Sequence, residues 1–347
     1  MKKIEYISYI AGIAAALLTV SCGQTEPERP GVAASFEAMM DGEAFETKGT
    51  PVEDLDAFKA RVELFTIWGF MDSGRITDFY DREVRLYGSR YYPIKDGNFE
   101  FLTLPKGLTR TNEMFYGLAS DRTENTVSVL SATTSGVKFN YQAHAPYTDQ
   151  EKDEFYHRDA EALGEVLAGI LVSGGVNEDG IIPLDFYHPL ASVRFRAGEG
   201  ITKKITITSI AFNRVKTEGT CTFNRNAEKK IDISWASVGN PQNYLQTYDN
   251  ELSPSTSLGE EINDSQSRKA WFIIPQTFGA GSSIDINYTM YGIEYTFSIP
   301  LEGVTYEANT AYWYTLTKGG VIFESNVNSW QSGVNQKNLY TEPGIYW

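Results

Sequence analysis

The sequence has little of what most catalytic and metal-binding proteins need. Two cysteines are too few for a disulfide framework, and three histidines leave little room for a metal cage. No standard zinc, redox, serine-hydrolase or phosphate-loop motif occurs. Basic residues are also scarce: 30 stand against 45 acidic residues, and a net charge of −15 argues against binding to nucleic acid. The sequence therefore predicts a protein that is not an enzyme, with no catalytic residues, no metal site and no cofactor.

Aromatic residues and turn formers are abundant. The chain has 21 Tyr, 19 Phe and 6 Trp, together with 30 Gly and 13 Pro. So much apolar and aromatic matter excludes a disordered chain, and the Gly and Pro content suits turns between many short strands. At about 100–200 residues per domain, 347 residues predict two domains.

The start of the chain predicts an export signal. Lys2 and Lys3 precede a short apolar run over residues 7–20. This run is too short to span a bilayer comfortably, since that takes about 20 apolar residues. We predict a signal peptide over residues 1–21, removed from the mature protein.

The cysteine that follows this run indicates a signal peptide of the lipoprotein type. Leu-Thr-Val-Ser-Cys at residues 18–22 resembles a bacterial lipobox, in which Cys22 is lipidated and becomes the first mature residue. Residues 22–30 are polar and contain proline, as a tether requires. Cys221 then has no cysteine partner, and we predict a free thiol buried as a small apolar side chain. The alternative is an ordinary signal peptide with a chance cysteine.

Alternation of apolar and polar residues dominates the mature chain, and it predicts half-buried strands of antiparallel β-sandwiches. The clearest early strand carries five residues on one face: Val32, Ala34, Phe36, Ala38 and Met40. Later examples are Ile284/Ile286/Tyr288, Ile231/Ile233/Trp235 and Tyr312/Tyr314/Leu316. A capping box at residues 148–151 predicts one helix. Gly, Asn and Asp collect over residues 174–183, so we predict an N-terminal domain over 31–183 and a C-terminal domain over 184–347.

Four phrases in the second half resemble the fimbrillin family, pilin-type surface lipoproteins of Bacteroidales. One is the strand-like Leu184 to Phe195, with His188 inside it, and another is Glu165 with the aliphatic residues that follow. The aromatic stretch over residues 306–316 resembles the family's penultimate strand, and the Trp and Gly of residues 328–333 resemble its closing phrase. When the family resemblance is set aside, the residues around His188 predict a hydrogen-bonded histidine at the edge of the core.

The resemblance implies two transthyretin-like, seven-stranded β-sandwich domains in tandem after a lipoprotein signal peptide. It also implies that a trypsin-like protease cuts the loop after the first strand, which a strand from another subunit then replaces by β-augmentation. Carried onto this sequence, the exchanged strand is Val32 to Met40 and the cut falls between Lys48 and Gly49. Arg61 is the fallback site, although its apolar neighbours predict that it already lies in a strand.

The leading interpretation is therefore a structural and adhesive pilus subunit. Its expected partners are other fimbrillin subunits, the processing protease, a host or bacterial surface ligand, and the outer membrane through its lipid. We expect it at the cell outer membrane, lipid-anchored, and then in the extracellular fimbrium. Pro343 and Gly344 interrupt an otherwise alternating tail, which argues against a repeating shaft, because proline cannot donate to a ladder. A tip or accessory subunit, or one retained at the membrane by its lipid, stays open.

Two other functions remain open from the sequence. The richness in Tyr and Trp would suit an outer-membrane-tethered glycan-binding lipoprotein that does not polymerise, although core packing explains most of these rings. A secreted β-sandwich hydrolase with paired carboxylates is a third interpretation, but 45 acidic residues produce neighbouring pairs by abundance alone.

Overall fold

The computed structural model describes residues 33–40, 55–105, 113–120, 126–143, 158–159, 165–172, 175–177, 179–263, 270–317, 320–327 and 335–340. Several predicted features lie outside these residues: the signal peptide, the tether, Cys22, Val32, Lys48, Gly49 and the helix expected from residue 148. The described part is all-β apart from one helix of seven residues, α1 (Leu55–Arg61). No helix in those ranges is long and apolar enough to cross a membrane.

The first half of the chain contributes eleven strands within the described residues. They are β1 (Ser35–Met40), β2 (Leu64–Met71), β3 (Gly74–Tyr87), β4 (Arg90–Lys95), β5 (Asn98–Phe99), β6 (Met114–Ser120), β7 (Thr126–Thr133), β8 (Gly136–Gln142), β9 (Arg158–Asp159), β10 (Val166–Leu171) and β11 (Ile181–Tyr187).

The second half contributes eleven more. They are β12 (Ala191–Ala197), β13 (Ile205–Arg225), β14 (Ile231–Leu252), β15 (Trp271–Ile273), β16 (Gln276–Thr277), β17 (Ser283–Met290), β18 (Ile293–Pro300), β19 (Thr305–Tyr306), β20 (Thr310–Thr317), β21 (Gly320–Val327) and β22 (Asn335–Tyr340). The strands predicted from alternation at Ile231, Ile284 and Tyr312 are β14, β17 and β20.

Seven strands of the first half close into a barrel. Their order is β1-β11-β10-β6-β2-β3-β4, and β1 pairs with β4 as well as with β11, so the sheet meets itself. The sequence predicted two β-sandwich domains of antiparallel strands. The structure corrects both points, because β1 runs parallel to β11 and its second edge is taken by β4. Parallel pairs also join β12 to β20 and β14 to β9.

The second half is built around two facing sheets. One has the order β15-β12-β20-β21-β22 and the other β18-β17-β13-β14-β9. Aromatic rings join the facing sheets: the ring of Phe212 on β13 lies 6.4 Å from that of Phe195 on β12 and 4.7 Å from that of Trp271 on β15. Apolar residues of both sheets therefore form one core, as the alternation predicted.

The sheets do not divide at residue 183, where the sequence places the domain boundary. All of β11, from Ile181 to Tyr187, belongs to the barrel sheet. The hairpin of β7 and β8 comes from the first half of the chain but pairs with β13, with Cys221 opposite Phe139. The two halves of the sequence thus contribute strands to a common sheet.

Two glycines make room for a phenylalanine inside the barrel. Gly169 on β10 is paired with Gly117 on β6, and a β-carbon at either position would lie about 3 Å from the ring of Phe186. We expect Gly169→Ala to lower the free energy of unfolding by about 1–3 kcal/mol, because the added methyl forces this ring out of place. Urea unfolding measures the effect. Gly279→Ala is the matched control, since no atom lies within 4 Å of a β-carbon there, and equal losses in both variants would contradict the expectation.

Candidate functional site

The strand predicted to be exchanged is held along both edges. On one side β1 pairs with β11 over its whole length, from Ser35 opposite Ile181 to Met40 opposite Phe186. On the other side Phe36 pairs with Tyr91 of β4. The start of the strand is fixed by two more backbone bonds, from the Ala34 amide to Leu102 O (2.7 Å) and from the Ser35 amide to Gly180 O (3.1 Å). We call the space that β1 fills between β11 and β4 the β1 slot.

The side chains of β1 alternate between the barrel interior and its surface. Ala34, Phe36 and Ala38 are fully buried, whereas Met39 is 43% exposed. The ring of Phe36 reaches across the interior, with its centroid 6.2 Å from that of Phe79 and 6.0 Å from that of Phe115. Burying such a ring contributes roughly 1.5–3 kcal/mol, so β1 is a substantial part of the barrel core.

Helix α1 covers one end of the barrel next to the slot. The ring of Phe58 on the helix packs against those of Phe65, Tyr91 and Phe186, with centroids 6.3, 6.0 and 4.6 Å away. The Tyr91 hydroxyl donates a hydrogen bond to Val62 O at 2.7 Å, and burial raises the pKa of this hydroxyl. The residues between Met40 and Leu55 therefore join two segments that are both anchored in the same core.

Arg61, the fallback cleavage site, is the last residue of α1. The prediction that it lies in a strand was wrong. The spacing of Leu55, Phe58 and Val62 is that of one helical face, and it was the signal that the strand assignment missed. Cys22, Lys48 and Gly49 lie outside the described residues, so their roles stay predictions.

Two residues from the family-like phrases meet in the core. Nδ1 of His188 lies 2.8 Å from Oε1 of Glu165, and both side chains are almost fully buried. Glu165 stands directly before β10 and His188 directly after β11, so the contact joins the open end of that hairpin. The backbone of His188 also exchanges hydrogen bonds with Asn309, just before β20. His188 is thus a core residue that ties the barrel to the second half of the molecule.

The side chain of Asn177 is occupied by a turn. Its side-chain oxygen accepts hydrogen bonds from the amides of Asp179 (3.0 Å) and Ile181 (2.8 Å). Across the described ranges, no group of three or more His, Cys, Asp and Glu side chains could hold a metal ion.

Cys221 is a free thiol, fully buried in β13, as the sequence predicted. Burial raises the pKa of this thiol, so the reactive thiolate is scarce near neutral pH. In a Cys22→Ser variant, which leaves Cys221 as the single cysteine, we expect no reaction with Ellman's reagent in native buffer and full reaction in urea. Rapid reaction of the folded protein would contradict this burial.

The residues that line the β1 slot could not be identified from the sequence. Phe79, Phe115, Tyr91 and Phe186 come from four different strands, and each alternating pattern tells only which residues face inward. No local pattern indicates that the rings of Phe79 and Phe115 meet at Phe36, or that Tyr91 and Phe186 belong to the same core.

The chain is similar to a fimbrillin-like family and to solved structures described as cell adhesion proteins. The model of the family described as fimbrillin-like matches residues 120–330. Among solved structures, a candidate cell adhesion protein from Bacteroides ovatus is 12% identical, with a TM-score of 0.46, and the match covers 91% of this chain and 100% of that one. A candidate cell adhesion protein from Bacteroides uniformis is also 12% identical, with a TM-score of 0.45, and the match covers 86% of this chain and 99% of that one. No protein of curated function matches the chain.

Proposed function

The chain belongs to the fimbrillin-like family, and from this premise we propose that it is a structural and adhesive fimbria subunit. It is exported as a lipoprotein anchored at Cys22 and assembled by strand exchange after proteolysis. In this proposal its place is the outer membrane and then the extracellular fimbrium. Its partners are other fimbrillin subunits, a trypsin-like protease and a surface ligand.

The observation that carries the proposal is the position of β1. This strand is short, lies at the start of the described chain, and nevertheless supplies fully buried side chains to the barrel core. Its removal would expose an apolar groove and two bare strand edges, β11 and β4. Such edges are templates for pairing, so an opened barrel binds another strand or aggregates.

Limited trypsin digestion of the Cys22→Ser protein tests the proposal. We expect a single cut between Lys48 and Gly49, located by mass spectrometry, followed by ladders or by capture of an added subunit on an unboiled gel. Lys48→Ala removes the cut, whereas Arg61→Ala leaves it unchanged. Scattered cleavage, or a first cut at Arg61 with Lys48 intact, would contradict the proposed processing site.

The second candidate is a tethered glycan-binding lipoprotein. It is favoured by a row of aromatic rings on β3, β4, β5 and the residues just after β5. Tyr87 and Phe101 are more than half exposed, and ring contacts of 5.3, 6.2 and 5.4 Å link Phe99, Tyr87, Tyr92 and Phe101 in sequence. Exposed rings can stack on sugar faces. Saturable binding of a polysaccharide that is lost in Tyr87→Ala, without assembly after trypsin, would favour this candidate.

A further inference from the structure

The β1 slot is shaped for one order of side-chain sizes: small, aromatic, small. We propose that any strand replacing β1 must carry this order at alternate positions. The inference rests on the strand exchange proposed above and states the side-chain order that a partner strand must carry at that site.

The middle position of the slot requires an aromatic ring. Phe36 is fully buried, and its ring fills the space between Phe79 of β3 and Phe115 of β6. A smaller side chain at this level would leave a cavity, because the surrounding rings are held by their own strands.

The two flanking positions require small side chains. Ala38 is buried opposite Leu184 of β11. Two residues farther along β11, the ring of Phe186 packs on those of Phe58 (4.6 Å) and Phe65 (5.1 Å). Ala34 is equally buried where the slot meets Leu102. Barrel interiors are close-packed, so a larger residue at either position must displace a ring or the strand itself.

The sequence offers this order only once. Taking Ala, Gly or Ser as small and Phe, Tyr or Trp as aromatic, the order small-x-aromatic-x-small occurs at residues 34–38 and nowhere else in the 347 residues. Because this order reads the same in both chain directions, no segment in the opposite orientation matches it either. Within the given sequence, β1 is therefore the one segment that carries the order of the slot.

Peptide binding to the trypsin-cut Cys22→Ser protein, in mild urea so that its own β1 is released, tests the inference by fluorescence anisotropy. Four labelled peptides are compared: residues 31–40, the same peptide with Ala38→Leu, the same with Met39→Leu, and residues 335–347. We expect the native and Met39→Leu peptides to bind alike, because Met39 faces outward. The Ala38→Leu peptide should bind at least about tenfold more weakly. The 335–347 peptide, which lacks the small-aromatic-small order, should not bind.

The outcomes separate the two proposals. Binding of the Ala38→Leu or 335–347 peptide as tightly as the native one would overturn the inference and leave strand exchange standing. Failure of the native peptide to bind would overturn strand exchange, and the inference with it. In the uncut chain, Ala38→Leu should lower the Tm and Met39→Leu should not. Equal Tm values there would overturn the size order whether or not trypsin cuts at Lys48.

Discussion

Replacing Phe36 by alanine is expected to lower the free energy of unfolding by about 3–5 kcal/mol. The ring has no solvent exposure and is enclosed by Phe79 and Phe115, and the backbone on either side is fixed to Ile182 and Tyr91. The barrel cannot collapse around the vacated space without breaking these pairings. A loss of this size is a large part of the ~5–15 kcal/mol that stabilises a typical domain.

Urea unfolding of the uncut protein measures this loss, and amide hydrogen exchange of the peptide that contains β1 locates it. Met39→Ala is the matched control on the same strand, since 43% of the Met39 side chain is exposed and it faces away from the core. The control should change stability by far less. Similar losses in the two variants would show that β1 is not the closing strand of a packed barrel.

Removing the carboxylate of Glu165 is the second change with a large expected effect. Glu165→Ala takes away the partner of a buried imidazole, and breaking a buried pair from one side typically costs about 3–5 kcal/mol. Glu165→Gln should cost less, because its amide oxygen remains an acceptor for the His188 Nδ1. Thermal and urea unfolding of both variants would give the order alanine, then glutamine, then the unchanged protein.

An exposed ion pair provides the control for this series. Lys204 and Glu251 form a contact in which 66% and 53% of their side chains are exposed. Lys204→Ala should therefore change stability by only about 0–1 kcal/mol, since surface pairs are screened by water. If Glu165→Ala were as mild as Lys204→Ala, the contact with His188 would not hold the open end of the β10–β11 hairpin together.

The sequence predicts the faces of strands far better than their neighbours. The alternation of Ala34, Phe36 and Ala38 indicated a strand with one buried face, and these residues do face the barrel core. The same alternation is consistent with either direction of pairing, so the parallel partner β11 could not be predicted. The closure of the barrel depends on where β4 lies in space, which no local pattern encodes.

The candidate site shows the same limit. The sequence supplied the strand and the basic residue after it, but the rings that fit around Phe36 come from strands far apart in the chain. Glu165 and His188 were singled out separately by resemblance, and only the fold brings them within 2.8 Å. The short helix α1 could not be predicted with its neighbour, because the spacing of Leu55, Phe58 and Val62 covers only two turns before an apolar strand begins.

The pairing of β1 with β11 also determines the order in which the barrel can be completed. Ser35 is opposite Ile181, so the strand made first must wait until nearly all of the barrel sequence has been synthesised before its main partner exists. Closing so long a loop adds little to the equilibrium cost but slows the search for the correct register. Of the barrel pairings, that of β1 with β11 joins the residues farthest apart in the chain. We therefore expect the docking of β1 to be the step that closes the barrel.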